Sequence, residues 1–109
     1  MKEFKLSIVV PCYNEESNIE PTFSKLDSTA SRLTKDYEII FVDNGGTDRQ
    51  LKRMKDIYQS NKTKVRIVSL SRNFGYQMSI SAGLEYSDGD AIIIIDADLQ
   101  DPPSMFEVF

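Results

Sequence analysis

Histidine is absent from this chain of 109 residues, and cysteine occurs once. Without histidine there is no histidine-based triad, no histidine metal ligand and no histidine general base. Any chemistry falls to carboxylates, amides, lysine and arginine. The single Cys12 excludes an intrachain disulfide and a cysteine-rich zinc site, and it fits a reducing compartment. Basic residues are outnumbered, 13 Lys and Arg against 17 Asp and Glu, and the net charge of −4 argues against nucleic acid as a general partner. The longest wholly apolar run is five residues, too short to span a bilayer. Met1–Lys5 carries no signal-peptide hydrophobic region. Two glycine signatures are missing as well: no G-x-G-x-x-G follows the first strand, and no G-x-x-x-x-G-K-[ST] occurs. A dinucleotide oxidoreductase and a P-loop NTPase are thereby disfavoured.

What is present centres on Ala91-Ile92-Ile93-Ile94-Ile95-Asp96-Ala97-Asp98. The β-branched run reads as a strand buried on both faces, the kind found in helix-covered parallel sheets. It ends in two carboxylates at i, i+2, where an open parallel sheet binds its ligands. Two such carboxylates repel each other, and a divalent cation relieves that repulsion. The bland reading, a polar loop after a strand, is weighed against the rest of the chain.

Three more strands are predicted, at Leu6–Val10, Tyr37–Val42 and Val65–Leu70. Pro11 is expected to end the first, because proline cannot donate to a central ladder. The spacing predicts a helix starting between 17 and 21, with Ile19, Phe23, Leu26, Ala30 and Leu33 as one apolar stripe. A second helix follows Thr47 and Gln50, which have capping-box spacing. Its Arg49, Lys52, Arg53 and Lys55 read as a solvated face rather than an anionic membrane contact. A third runs from about Tyr76 to Tyr86 with Ile80 and Leu84 inward, and Gly83 is accounted for by close packing on the sheet. The order β-α-β-α-β-α-β predicts an α/β fold, a mostly parallel Rossmann-type sheet with helices on both faces. Each unusual polar cluster falls at a strand's carboxyl end: Asn14-Glu15, Asp43-Asn44, Arg72-Asn73 and Asp96-Asp98. A cation at the acidic pair, Arg72 for an oxyanion and Asp43 or Asn44 for a base or ribose edge describe a nucleoside-diphosphate site.

Four motifs in this order resemble glycosyltransferase family 2, whose fold is called GT-A. Pro11-Cys12-Tyr13-Asn14-Glu15 matches P-x-Y-N-E, and Asp43-Asn44-Gly45-Gly46-Thr47-Asp48 resembles D-D-G-S-x-D. Arg72-Asn73-Phe74-Gly75 matches R-N-x-G, and Asp96-Ala97-Asp98 is the D-x-D. The longer string through Leu99-Gln100-Asp101-Pro102-Pro103 is similar to dolichyl-phosphate mannose synthases and bacterial polyprenyl-phosphate glucosyltransferases.

The resemblance implies an inverting, metal-dependent transfer of sugar from a nucleoside-diphosphate sugar to an acceptor, a polyprenyl phosphate in this subgroup. Pro11, Tyr13, Glu15, Asp43, Asn44 and Arg72 would bind the sugar nucleotide; Asp96 and Asp98 would serve catalysis. Asp96, Asp98 and Gln100 would hold Mg²⁺ or Mn²⁺. Asn44 replaces the second acid of the nucleotide motif, and one amide donor with one acceptor suits uracil, so a UDP-sugar is expected over GDP-mannose. A lipid phosphate is largely dianionic at neutral pH and needs no base to attack.

The family domain is expected to continue beyond Phe109, so residues 1–109 would be its N-terminal, nucleotide-binding part, inactive alone. The segment is expected on the cytoplasmic side, with the full-length protein attached to the plasma membrane through later residues. An unpaired apolar fourth strand makes self-association an expectation. The competing readings are a nucleotide-binding half-domain without turnover and a D-x-D phosphatase. The phosphatase pattern places its motif after the first strand, not the fourth.

Overall fold

The computed structural model describes residues 4–97. Asp98 and Gln100, two of the three proposed metal ligands, lie outside them, as does the expected helix after Pro103.

The described chain alternates strand and helix: β1 Lys5–Cys12, α1 Ile19–Leu33, β2 Asp36–Asp43, α2 Gln50–Ser60, β3 Val65–Ser69, α3 Tyr76–Glu85 and β4 Ala91–Ile94. The sheet has order β3-β2-β1-β4, and every described pairing is parallel. The α/β architecture expected from the sequence is therefore present. Ile8, Val10, Ile39 and Phe41 are fully buried on one face, with Ile19, Leu26 and Ala30 of α1 and Met54 of α2. Each such side chain contributes about 1.5–3 kcal/mol by leaving water. Val9, Ile40 and Val42 project from the other face toward Ala82 of α3.

Pro11 does not end β1, which runs to Cys12 beside β2. It ends the ladder on the other side. The β1–β4 pairing stops at Val9↔Ile94, and Ile95 N donates to Val9 O at 3.0 Å. The next donor facing β4 would be the N–H that proline lacks.

Three expectations fail for reasons of packing. The inward face of α3 is Ser79 and Gly83; Leu84 is exposed and Ile80 half-buried. Small residues win because the helix lies so close that a Cβ on Gly83 would sit 2.4 Å from Val9 Cγ1. β4 is not buried on both faces: Ile92 and Ile94 are 44% and 40% exposed, because α3 packs over β1 and β2. β4 is thus the edge strand among the described residues, where exposed apolar side chains are least protected. Leu33, at the end of the α1 stripe, is also exposed. Neither N-cap residue, Asn18 or Arg49, makes a side-chain cap bond, so both expected capping boxes are absent. On α2, Lys52 pairs with Asp56 and Arg53 with Glu20, both at 3.2 Å, as a solvated face would.

The amino end of the sheet closes as structure. Glu38 is buried and accepts from Ser7 Oγ at 2.6 Å and Asp88 N at 2.8 Å, with Arg66 Nε at 3.3 Å. A buried carboxylate is tolerated only with such partners. The carboxyl end is arranged differently.

Candidate nucleotide-sugar site

Four loops leave the carboxyl ends of β1 to β4, and polar side chains tie each to the next. Asn14, held at φ 55, accepts from Thr47 N at 2.7 Å and Asp48 N at 3.2 Å through Oδ1. Asparagine tolerates this left-handed conformation better than most residues. Asp48 Oδ2 accepts from Glu16 N at 3.0 Å, and its Oδ1 from Gln50 N at 2.9 Å. The first and second loops are thereby clipped together at several points.

Gln50 is the centre of that clip. It is fully buried, and its Nε2 donates to Asp43 Oδ1 at 2.6 Å and Cys12 O at 3.1 Å. Its Oε1 accepts from Glu15 N at 3.0 Å. This explains the missing capping box: the side chain turns inward to satisfy two buried groups and the half-buried Glu15 amide instead of one helix-end donor. Asp43, 4% exposed, also accepts from Gly46 N at 3.0 Å and Ser69 Oγ at 2.9 Å. Its carboxylate is committed within the protein, beneath the site surface.

Asn44 joins the second loop to the third. Its Nδ2 donates to Asn73 Oδ1 and Gly75 O, each at 3.2 Å, and its Oδ1 accepts from Phe74 N at 3.1 Å. The donor and acceptor expected to read a base are thus spent on the R-N-F-G loop. The backbones there almost touch, since a Cβ on Gly45 (φ +69) would meet the Arg72 carbonyl carbon at 2.1 Å. Only glycine fits that contact and that conformation. Tyr76 Oη donates to Asp96 Oδ1 at 2.8 Å, joining α3 to the end of β4.

Between these loops lies a cleft of about 230 Å³ lined by Pro11, Cys12, Tyr13, Asn44, Asn73, Gly75, Tyr76 and Ser79. The sequence-predicted Pro11, Tyr13 and Asn44 therefore meet in one cavity. Asp43 and Glu15 do not line it; Glu15 Oε2 accepts from Asn18 Nδ2 at 2.8 Å. Arg72 lies off the cleft with its guanidinium 4.2 Å from the Phe74 ring centroid, a cation–π arrangement that leaves its N–H donors for an anion. Gln50, Asn73, Tyr76 and Ser79 were not singled out as site residues. The spacing of Gln50 predicts only a helix cap, Asn73 belongs to the R-N-x-G motif without a role of its own there, and no local pattern marks Tyr76 and Ser79.

The field over this edge is negative. Burial first, then Glu15, Asp43, Asp48 and Asp96, push the Cys12 thiol far above its ordinary range. Cys12 is 2% exposed and stays protonated. Iodoacetamide is expected to leave it unmodified in the native protein at pH 8 and to alkylate it in urea; rapid native labelling would show that the loop opens. A negative rim of this kind suits a cation. Among the described residues no group of three His, Cys, Asp or Glu could hold one, and Asp96 is the only proposed ligand they include. No described helix is long and apolar enough to cross a membrane.

Comparison with known proteins gives the same edge a context. The family model described as Glycosyl transferase family 2 matches residues 7–109. An uncharacterized glycosyltransferase of Synechocystis is 52% identical over 93% of this chain and 31% of its own length. The undecaprenyl-phosphate 4-deoxy-4-formamido-L-arabinose transferase of Proteus mirabilis is 36% identical over 91% of this chain and 30% of its own. The chain thus spans about a third of the curated relatives it matches. Among solved structures, the mannosyltransferase PcManGT of Pyrobaculum calidifontis, in complex with GDP-Man and Mn²⁺, aligns at TM-score 0.77 and 20% identity over 89% of this chain and 28% of that one. S. aureus TarS in complex with UDP-GlcNAc aligns at 0.71 and 25% identity over 86% and 26%.

Proposed function

This chain belongs to glycosyl transferase family 2, and we propose that its full-length form moves a sugar from a nucleoside-diphosphate sugar to a polyprenyl phosphate. The observation that carries the reading is the linked set of strand-end loops. They bring the cleft, the Arg72 guanidinium stacked on Phe74 and the Asp96 carboxylate to one edge of the sheet. The named acceptor chemistry of the Proteus relative supports a lipid phosphate. The fold is the GT-A α/β fold, shared with the solved glycosyltransferases.

Each part has a role in the reading. Pro11 and Tyr13 form one wall of the base cleft, and Asn44 holds another wall in place. Asp43 and Glu15 support these loops from below and beside. Arg72 offers its N–H donors to a phosphate oxygen. Asp96, with Asp98 and Gln100, would hold Mg²⁺ or Mn²⁺ and the sugar nucleotide. A divalent ion there supplies Lewis-acid stabilisation of the charge developing on the departing nucleoside diphosphate. Attack by the acceptor oxyanion in one displacement inverts the anomeric centre.

A UDP-sugar is the donor we favour, supported by the UDP-GlcNAc bound in the TarS complex rather than by Asn44, whose amide is spent on the R-N-F-G loop. Calorimetry with UDP and GDP in the presence of Mg²⁺ tests this. Tighter binding of UDP is expected. Tighter GDP binding overturns the pyrimidine assignment, and binding of neither overturns the nucleotide site itself.

A further inference from the structure

Asp96 lies just past the end of β4, exposed to solvent. Its backbone is anchored through the preceding residue, since Ile95 N donates to Val9 O. Its side chain is not anchored by its own strand. The one hydrogen bond that its carboxylate makes to the described residues comes from Tyr76 Oη, at 2.8 Å to Oδ1. Tyr76 is the first residue of α3 and lines the nucleotide cleft. The residue before it, Gly75, has its carbonyl held by Asn44 Nδ2. A continuous path therefore runs from the end of β2, through Asn44, Gly75 and Tyr76, to the acidic end of β4.

We propose that Tyr76 is a positioning residue that holds the Asp96 carboxylate in the orientation that receives the cation-bound sugar nucleotide. This rests on the glycosyltransferase reading of the site. Tyr76 is 51% exposed and Asp96 is exposed too, so the bond adds little to folding. Its value lies in order. A free aspartate side chain samples several rotamers, and fixing one of them in advance removes that entropy from the binding step. A phenol donating to a carboxylate makes a charge-assisted bond, which also leaves Oδ2 without a donor among the described residues. The path through Asn44 means that an ordered base cleft and an ordered Asp96 carboxylate come together.

The test is calorimetry on the full-length protein with UDP and GDP, each with and without Mn²⁺, following whichever nucleotide the wild type binds more tightly. Mn²⁺ is expected to tighten binding in the wild type, and Asp96→Asn is expected to abolish that gain. Tyr76→Phe keeps the ring and removes only the donor. It is expected to cut the Mn²⁺-dependent gain about tenfold, the effect of losing one hydrogen bond to a charged group. The gain is the ratio of binding with and without Mn²⁺ within each protein, so a loss common to both conditions cancels, and the melting temperature should stay as in the wild type. In the Asp96→Asn background, Tyr76→Phe should have no further effect. If the wild type shows no Mn²⁺ gain, or Asp96→Asn keeps it, the reading of the site fails and this proposal with it. If Asp96→Asn abolishes the gain while Tyr76→Phe keeps it, the proposal alone is overturned. An equal loss in nucleotide binding without Mn²⁺ would also overturn it, because the effect would then be structural.

Discussion

Replacing Gln50 with leucine is expected to destabilise this protein by about 3–5 kcal/mol and to abolish nucleotide binding. The two side chains are similar in size, so the change removes hydrogen bonds rather than volume. Two buried groups, the Asp43 carboxylate and the Cys12 carbonyl, and the half-buried Glu15 amide lose their partner at once. Leaving one buried polar group unsatisfied costs about 1–3 kcal/mol, and more where the group is charged. Asp43 keeps Gly46 N and Ser69 Oγ, which limits the loss. Binding should suffer beyond stability, because this side chain ties Cys12 and Glu15 of the P-x-Y-N-E loop to Asp43, beneath the clips that Asn14 and Asp48 make. Urea unfolding at pH 7 measures the first effect, and UDP calorimetry below the transition measures the second. A variant within about 1 kcal/mol of wild type would mean that Asp43 does not depend on Gln50.

Gln50→Glu separates charge from shape. It would set a second carboxylate at the 2.6 Å contact with Asp43. Two buried carboxylates that close cannot both ionise, so one pKa must rise in the folded state. A raised folded pKa gives stability that is present at low pH and lost as pH rises. The variant should therefore be most damaged at neutral pH and partly recover as the medium is acidified, in contrast to Gln50→Leu.

The contrast between what was legible in the sequence and what was not follows from range. The strands and helices repeat with local periods, and Ile19, Leu26 and Ala30 turned inward as their spacing demanded. Asn14-Glu15, Asp43-Asn44, Arg72-Asn73 and Asp96 also fell at one edge, because strand ends are local features too. Long-range choices were not visible. Nothing near Gln50 in sequence announces Asp43, Cys12 and Glu15 as its partners. Its capping-box spacing pointed to a local role that three tertiary bonds outcompete. The same holds for Asn44, read from chemistry alone as a base reader and found bracing Asn73, Phe74 and Gly75. On α3, hydrophobicity favoured Ile80 and Leu84, but the distance to Val9 admits only Gly83. On β4, β-branched residues predicted burial on both faces, and the strand's edge position exposes Ile92 and Ile94.

The largest effect on turnover is expected at Asp98, two residues beyond the Asp96 that Tyr76 holds. The proposal is that the i, i+2 carboxylates share a divalent cation at the end of β4, with Asp98 as a direct or water-bridged ligand. The physical motive is the negative field on this edge, where Glu15, Asp43, Asp48 and Asp96 all act on the Cys12 thiol. Further carboxylates there are unfavourable without a counter-charge. A cation balances them and then stabilises the leaving diphosphate, an effect of several kcal/mol on the barrier. In the full-length protein, Asp98→Ala should lower turnover by roughly a hundredfold or more, since each 1.4 kcal/mol is tenfold in rate. The loss should persist at saturating Mg²⁺ if Asp98 also orients the diphosphate, and should narrow as Mg²⁺ rises if it only sets metal affinity. Asp98→Asn discriminates further, because it keeps the shape and one oxygen but removes the charge. Near-normal turnover of Asp98→Ala at ordinary Mg²⁺ would remove Asp98 from the mechanism and with it the idea that the two carboxylates share a cation.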